Sequence, residues 1–177
     1  PQLITNLKEM INLWNKLAIS AGFEGIYLGY QHHSAYINNN YCKNIFDFGI
    51  EFEPWYTIAL ELNKKIKNKF DYFLHPIILA KKIENKVFHL PNKYSYDLIW
   101  KKIIERKNDI KMMPGAFTSW DNTPRLGKRA NIVVNSSVEK FSLYISKQIK
   151  KVEKYGKPFI FINAWNEWAE GAHLEPD

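Results

Sequence analysis

The alternation of strand-like and helix-like segments constrains the fold of this chain more than any other feature. Apolar residues in 3–18 recur every three or four positions, which predicts an amphipathic helix that ends at Gly22. Residues 25–29 and 159–163 read as short strands that are apolar on both faces. Apolar strands that alternate with amphipathic helices indicate parallel βα units, so the sequence predicts an α/β domain.

Three local signals predict where further helices begin. Pro54 suits the first turn of a helix, and Ser95 or Asp97 can cap a helix that continues to about residue 104. The Ser-Ser-Val-Glu stretch at 136–139 has the capping-box pattern and opens a helix that Gly156 ends. These helices separate the predicted strands from one another.

Two segments are harder to assign. Residues 110–117 predict a strand that Pro114 and Gly115 interrupt, and 72–90 contains two stretches that could each be a strand.

Three or four βα units fit a chain of 177 residues, which we expect to be one domain without an internal boundary. Because a (β/α)₈ barrel needs about 250 residues, the chain is half a barrel or a small doubly wound sheet.

The chain starts at Pro1 inside a helical pattern and stops at Asp177 within a loop rich in polar residues. We therefore expect it to be a piece of a longer protein. In either architecture, function collects in the loops that follow the carboxyl ends of the strands.

The net charge of +7 comes from lysines along helix faces. The ordinary interpretation is a solvated surface, and the alternative is attraction to anionic lipid or to a polyanionic sugar carrier. No nucleic-acid motif accompanies the charge, and no apolar run approaches a membrane span. The single cysteine, Cys42, cannot form an internal disulfide, which fits a cytoplasmic protein with peripheral contact at the inner membrane face as an option.

The end of the chain, 161–177, carries the strongest chemical signal. Glu167 and Glu170 lie three residues apart between Trp165 and Trp168. One carboxyl of such a pair can donate a proton while the other accepts one, and the aromatic rings offer flat apolar surface to a sugar. Two surface acids at a helix start are the alternative. The candidates for substrate contacts in this segment are Asn163, Trp165, Asn166, Trp168 and Glu175, with His173 beside them.

A second candidate segment is 120–125, directly after the interrupted strand. Asp121 and Asn122 can hydrogen-bond sugar hydroxyls beside Trp120, and Arg125 can clamp a carboxylate or phosphate through two parallel hydrogen bonds. The alternative is an Asx turn closed by proline with a solvated arginine.

Candidates outside these segments carry weaker signals. Tyr30, His32 and His33 follow the first predicted strand and are either cleft residues or ordinary loop residues. Glu51 is explained by helix-start electrostatics or by a place in the cleft. The sequence shows no set of metal ligands at suitable spacing and no phosphate-binding loop, so we predict neither a metal nor a cofactor.

Three segments of the sequence resemble those of a known protein family. WDNTPR (120–125) followed by NAWNEWAEGAHLEPD (163–177), with FDFGIEFEP (46–54) upstream, resembles the WbsX-like proteins. That family is described as glycosyltransferases of polysaccharide biosynthesis, and its domain is similar to glycoside hydrolase family 99. The resemblance implies the C-terminal half of a (β/α)₈ barrel, with 159–163 as the eighth strand and the N-terminal half missing.

The resemblance also implies roles for the two acids. Glu167 falls on the base that acts on the sugar 2-hydroxyl, and Glu170 falls on the general acid/base at the glycosidic oxygen. The hydrolases retain configuration through an anhydro-sugar intermediate without a metal. Ala169 stands where they commonly have histidine, so their substrate preference does not carry over.

Three functions remain open at this stage. The first is an enzyme that makes or cleaves a glycosidic bond in bacterial surface polysaccharide, of the lipopolysaccharide O-antigen type, with an oligosaccharide or polysaccharide substrate that is free or lipid-linked. The second is an endo-acting α-glycosidase of the endo-α-mannosidase type. The third is a carbohydrate-binding module without catalysis.

Overall fold

The computed structural model of the chain describes residues 4–33, 42–62 and 90–175. Its helices and strands alternate along the chain, which confirms the α/β class. The helices are α1 (Leu7–Ser20), α2 (Trp55–Thr57, continued by a π-helical turn at Ile58–Leu62), α3 (Tyr96–Glu105), α4 (Thr123–Leu126) and α5 (Val138–Lys154). The strands are β1 (Gly29–His32), β2 (Phe48–Glu51), β3 (Asn92–Ser95), β4 (Met112–Met113), β5 (Gly115–Phe117), β6 (Asn131–Val134), β7 (Phe161–Asn163), β8 (Asn166–Glu167) and β9 (Ala172–His173).

All pairings among the first seven strands, β1 through β7, are parallel. The strands form a sheet in the order β1-β2-β4 and two pairs, β5-β7 and β3-β6, while β8 and β9 form an antiparallel hairpin. Parallel strands need crossover connections, and the segments between these strands supply them. The described strands do not close into a barrel.

The predicted strand at 110–117 is interrupted at Pro114, as expected. β4 before the proline pairs with β2, and β5 after it pairs with β7. Gly115 begins β5 so close to β2 that a Cβ atom there would lie 1.8 Å from the carbonyl oxygen of Glu51. This contact requires glycine, and it brings the carboxyl end of β2 against the start of β5.

The first strand lies four residues later than predicted. Residues 25–29 are largely outside regular structure, and β1 begins at Gly29. Tyr30 and His32 are therefore strand residues with buried side chains, whereas the sequence placed them in the following loop. The apolar run at 25–29 was misleading because Tyr27 is largely exposed.

The predicted helix boundaries lie at or close to those of the structure. Ser95 is the cap of α3 and accepts a hydrogen bond from the Leu98 amide, so it rather than Asp97 has that role. Ser137 caps α5 by accepting from the Lys140 amide, one residue later than the capping-box pattern indicates. Pro54 immediately precedes α2. Gly22 and Gly156 follow their helices with φ of +90° and +61°, a region that favours glycine.

The main core lies between α3, α5 and the strands they cover. Trp100 of α3 stacks on Phe117 of β5 and on Tyr144 of α5, with ring centroids 5.6 Å apart in both pairs. Tyr96 and Ile103 are fully buried beside them. Burial of each such side chain contributes about 2 kcal/mol, so this core fixes the carboxyl end of β5, where the candidate loop 120–125 starts.

Five strands were not predicted: β2, β3, β6 and the two short strands of the terminal hairpin, β8 and β9. β3 and β6 pair with each other, and the backbone amide of Val133 in β6 also donates to the carbonyl of Trp120. The predicted strands within 72–90 lie outside the described residues, apart from Leu90.

Candidate active site

The terminal motif folds into a tight hairpin, which we call the acidic hairpin (residues 166–173). Asn166 pairs with His173 and Glu167 with Ala172, and a 3-10 turn at Trp168–Glu170 joins the two strands. Gly171 follows the turn with φ of +57° and packs against Asp121. Glu167 and Glu170 therefore stand at the two ends of one turn, just after β7.

Glu170 is the better anchored of the two acids. Its Oε1 atom accepts a hydrogen bond from Arg125 Nη1 at 2.7 Å, and its backbone carbonyl accepts from the Asp121 amide at 2.8 Å. Its side chain is 19% exposed. Burial is the largest influence and raises the pKa of Glu170, the Arg125 charge lowers it, and the Glu167 charge raises it, with a raised pKa as the result.

The Glu167 side chain is partly buried, and its charge is felt by Glu170. Two carboxyls that share an environment resist simultaneous ionisation, so one of them keeps its proton to higher pH. The charge of Glu167 is thus one of the causes that raise the pKa of Glu170.

The flanking tryptophans present large ring surfaces to solvent. Trp165 is 65% exposed, and its Nε1 atom donates to Glu175 Oε1 at 2.6 Å. Trp168 is 47% exposed and stacks on His173, with ring centroids 4.3 Å apart. His173, in the second strand of the acidic hairpin, and Glu175, just after it, hold the two rings. The exposed faces of the rings suit the apolar face of a sugar.

The loop at 120–125 supports the acidic hairpin. Asp121 forms an Asx turn in which Oδ1 accepts from the Thr123 amide at 2.8 Å. Ser119 Oγ donates to the Gly171 carbonyl. Arg125, expected to clamp a substrate anion, is paired with Glu170 instead.

Trp120 and Asn122 are buried within this loop. Trp120 packs edge-on against Trp55 with a centroid distance of 5.5 Å, and Asn122 Oδ1 accepts from the Asn131 amide at 2.8 Å. Both side chains hold the loop to the core and to β6. Within the described ranges, the buried Trp120 Nε1 has no hydrogen-bond partner.

Tyr30 and His32 are buried side chains of β1, and His32 is its last residue. The Tyr30 hydroxyl donates to Met112 Sδ at 3.8 Å, and burial raises the pKa of Tyr30 to about 12. His32 stands opposite Glu51 in the β1–β2 register and packs edge-on against Tyr56. The sequence named both as candidate substrate contacts in a loop, and the structure places them on β1.

Asn163 links β7 to the loop after β2. Its Nδ2 atom donates to the Glu53 carbonyl at 2.9 Å, 110 residues away in sequence. Asn166 is exposed on β8. Asn163 therefore holds the segment that leads into the acidic hairpin, and Asn166 is available at its surface.

A buried ion cluster beside the site was not predicted, and we call it the Arg106 cluster (Arg106, Glu51, Glu53, Glu61 and Thr57). Arg106 donates from Nη1 to Glu51 Oε2 at 2.7 Å and to Glu53 Oε1 at 2.9 Å, and from Nε to Glu61 Oε1 at 2.6 Å. Its Nη2 atom donates to the Thr57 hydroxyl. Glu51 thus lies in an ion pair, and helix-start electrostatics does not describe it.

Charge in the Arg106 cluster is not balanced, because one guanidinium faces three carboxyls. Burial is the largest influence on Glu53 and raises its pKa against the opposing charge of Arg106. Burial alone lowers the pKa of Arg106, and the charges of Glu53, Glu51 and Glu61 raise it by more. The raised pKa makes the neutral form of Glu53 easier to reach than that of an ordinary glutamate, and protonation there would reduce the excess of negative charge.

Two cavities border these elements. One of about 470 Å³ is lined by Thr118, Ser119, Ser136, Ser137, Val138, Phe141, His173, Leu174 and Glu175. One of about 190 Å³ lies between β2 and β7 and is lined in part by Glu51, Glu53 and Asn163. Neither cavity is lined by Glu167 or Glu170. The acids thus lie on a partly exposed surface.

Two findings concern metals and membranes. In the ranges that the structure describes, no group of three or more His, Cys, Asp or Glu side chains is arranged to hold a metal ion. None of the helices in those ranges is both long and apolar enough to cross a membrane.

Comparison with known proteins identifies the family. The profile of the family described as "Glycosyltransferase WbsX" matches residues 1–177. Two relatives, both named "Uncharacterized protein WxcX", come from two strains of Xanthomonas campestris pv. campestris and are 36% identical over 72 residues. Each alignment covers 39% of this chain and only 10% of the relative's length. No solved structure matches the chain. Because the family profile extends over all 177 residues, the chain belongs to the WbsX glycosyltransferase family.

Proposed function

We propose that this chain carries the acid–base pair of an enzyme that makes or cleaves glycosidic bonds in bacterial surface polysaccharide. The family description supports an enzyme of carbohydrate metabolism with a role in polysaccharide biosynthesis. The observation that carries the specific proposal is the turn in the acidic hairpin. It holds two carboxyls at its ends, and the raised pKa of Glu170 fits a group that must donate a proton near neutral pH.

In the proposed reaction, Glu170 protonates the oxygen of the breaking glycosidic bond. Glu167 removes the proton of the sugar 2-hydroxyl, whose oxygen attacks the anomeric carbon as that bond breaks. A water or a sugar hydroxyl then opens the anhydro-sugar, Glu170 takes its proton, and Glu167 returns the first proton to the 2-oxygen. These roles are those that the resemblance to glycoside hydrolase family 99 implies for the two acids. If water opens the anhydro-sugar the reaction is hydrolysis, and if a sugar hydroxyl opens it the reaction is transfer.

The proposed architecture is the C-terminal half of a (β/α)₈ barrel. The parallel pairing of β1 with β2, β2 with β4, and β5 with β7 supports it, and β3 and β6 form a separate parallel pair. The acidic hairpin directly follows the carboxyl end of β7, where barrel enzymes place their chemistry. The partner in this proposal is the N-terminal half of the same barrel.

The proposed substrate is an oligosaccharide or polysaccharide, free or lipid-linked, and the proposed location is the cytoplasm with contact at the inner membrane face. The lysines of α5 support the contact: Lys147, Lys150 and Lys154 are exposed on one helix. Basic side chains of this kind attract anionic lipid headgroups.

The test uses the full-length protein with Glu170→Gln, Glu167→Gln and a matched control, Glu153→Gln, which changes an exposed acid of α5. The substrates are α-mannoside and α-rhamnoside oligosaccharides, each with and without a nucleotide-sugar. We expect each site variant to lose at least about a thousandfold in kcat/KM and the control to lose nothing. Product release without a nucleotide-sugar indicates hydrolysis. Unchanged turnover in Glu170→Gln overturns the proposal.

A carbohydrate-binding module is the second candidate, and the exposed rings of Trp165 and Trp168 favour it. Such a module needs the aromatic surface and no proton transfer. Saccharide binding by a wild-type protein without turnover, retained in Glu170→Gln, would support the module and reject the enzyme.

A further inference from the structure

The cavity of about 470 Å³, which we call the rear cavity, has no role in the proposed chemistry. Its volume lies in the range of small-molecule sites and is sufficient for one or two sugar units. Three segments form its walls: the end of β5, the β6–α5 connection with the first turn of α5, and the end of the acidic hairpin. Loops after parallel strands are where α/β proteins bind ligands.

The rear cavity is separated from the acids by the width of the acidic hairpin. His173 lines the cavity and pairs with Asn166, whereas Glu167 pairs with Ala172. Successive side chains of a strand point to opposite faces. His173 and Glu167 therefore belong to opposite faces, and a ligand in the cavity is not the sugar that reacts at Glu167.

The lining combines hydroxyl, carboxylate, imidazole and apolar groups. Ser136 and Glu175 offer hydrogen-bonding groups, and Val138, Phe141 and Leu174 offer apolar surface. No lysine or arginine is among the described residues that line it. A neutral saccharide, which has hydroxyls around an apolar ring face, matches this lining, while the Glu175 carboxylate repels a phosphate or an acidic sugar.

The two exposed tryptophans connect the rear cavity to the acid pair. Trp165 donates to Glu175 and Trp168 stacks on His173, and both of these partners line the cavity. Both tryptophans also lie within two residues of Glu167 in the sequence. Each ring is therefore next to the acid turn in the chain and in contact with a residue that lines the cavity.

We propose that the rear cavity is a subsite for a neutral sugar unit of the substrate, away from the bond that reacts. This inference rests on the proposed carbohydrate function and adds a second binding position and a charge preference. It implies that the substrate is longer than the two sugars at the reacting bond.

The test measures binding by calorimetry on the full-length protein, with neutral α-linked mannotriose and rhamnotriose and with inorganic pyrophosphate as the anionic probe. Ser136→Trp fills the cavity, and Ser136→Leu is a milder variant in case the first does not fold. Ser142→Trp adds the same bulk to an exposed position of α5 outside the cavity.

We expect one of the trisaccharides to bind, both Ser136 variants to weaken it, by about tenfold for Ser136→Trp, and Ser142→Trp to have no effect. We also expect pyrophosphate not to compete. The subsite is rejected if neither trisaccharide binds, if both Ser136 variants bind as tightly as Ser142→Trp, or if pyrophosphate displaces the sugar.

Because the readout is binding, the result is independent of catalysis. Loss of binding in Ser136→Trp together with full turnover in Glu170→Gln would retain the subsite and reject the proposed acid. The reverse pair of results would retain the acid and reject the subsite.

Discussion

Arg125 Nη1 lies 2.7 Å from Glu170 Oε1, so the acid assigned to the glycosidic oxygen is held by an arginine 45 residues earlier in the chain. The arginine side chain is largely exposed, whereas that of Glu170 is mostly covered. Arg125 therefore tunes and orients the acid from the solvent side.

Replacement of Arg125 by Gln should move the basic limb of the pH–rate profile upward. The Arg125 charge lowers the pKa of Glu170 against the effect of burial, and its loss leaves the pKa higher. A general acid is lost as pH rises through its pKa, so activity should persist to higher pH. The measurement is kcat/KM against pH, with Lys128→Gln in the same loop as control. A downward shift would contradict this role.

Replacement of Trp168 by Ala should weaken saccharide binding about tenfold, or about 1.4 kcal/mol. The ring is 47% exposed and is oriented by its stacking on His173. Trp168→Phe should recover part of the loss because it keeps a flat ring. Titration calorimetry measures both, and Tyr155→Ala, an exposed aromatic after α5, should bind normally. Equal affinity in Trp168→Ala would remove this ring from the site.

Replacement of Arg106 by Met should lower the free energy of unfolding by about 3–5 kcal/mol. The variant leaves Glu51, Glu53 and Glu61 without their shared cation, and Arg106 is only 11% exposed. Urea denaturation of the full-length protein measures the change, and Arg129→Met on the exposed surface is the control. A loss similar to that of the control would show that the three carboxyls do not depend on Arg106.

Replacement of Glu53 by Gln should cost much less than Arg106→Met and should become more favourable relative to wild type as pH rises. The folded pKa of Glu53 is raised above its ordinary value of 4.5. The contribution of Glu53 to the free energy of unfolding is therefore fully present below pH 4.5 and is lost as pH rises through the pKa of the folded state. Glutamine does not titrate, so the variant lacks this pH dependence. Unfolding free energies at several values between about pH 4 and about pH 8 test this, with Glu153→Gln, which changes an exposed acid of α5, as the control.

The sequence predicted several helix ends and one strand because these features depend on interactions between residues that are close in the chain. Ser95 caps α3, Gly156 follows α5, and Phe161–Asn163 forms a strand, as the sequence indicates. Those signals depend on one residue and its near neighbours. β1 was misplaced because its buried residues, Tyr30 and His32, are polar, while the exposed Tyr27 lies in the more apolar run. The run Asn131–Val134 did carry a β-branched signal for β6.

The candidate site likewise has one part that the sequence predicts and another that it does not. The acid pair lies within four residues and could be found as a motif. The pairing of Arg125 with Glu170, and of Arg106 with Glu51 across 55 residues, depends on the tertiary fold. No periodicity or spacing identifies which arginine meets which carboxylate.

Gly115 has a consequence for saturation mutagenesis of this family. Any Cβ at this position meets the Glu51 carbonyl at 1.8 Å, so every substitution would push two strands apart. A deep mutational scan scored on turnover would rank Gly115 with the proposed acids, Glu167 and Glu170, although its effect is on strand packing. A parallel screen for abundance would separate the two classes, since loss at Gly115 would remove the protein itself.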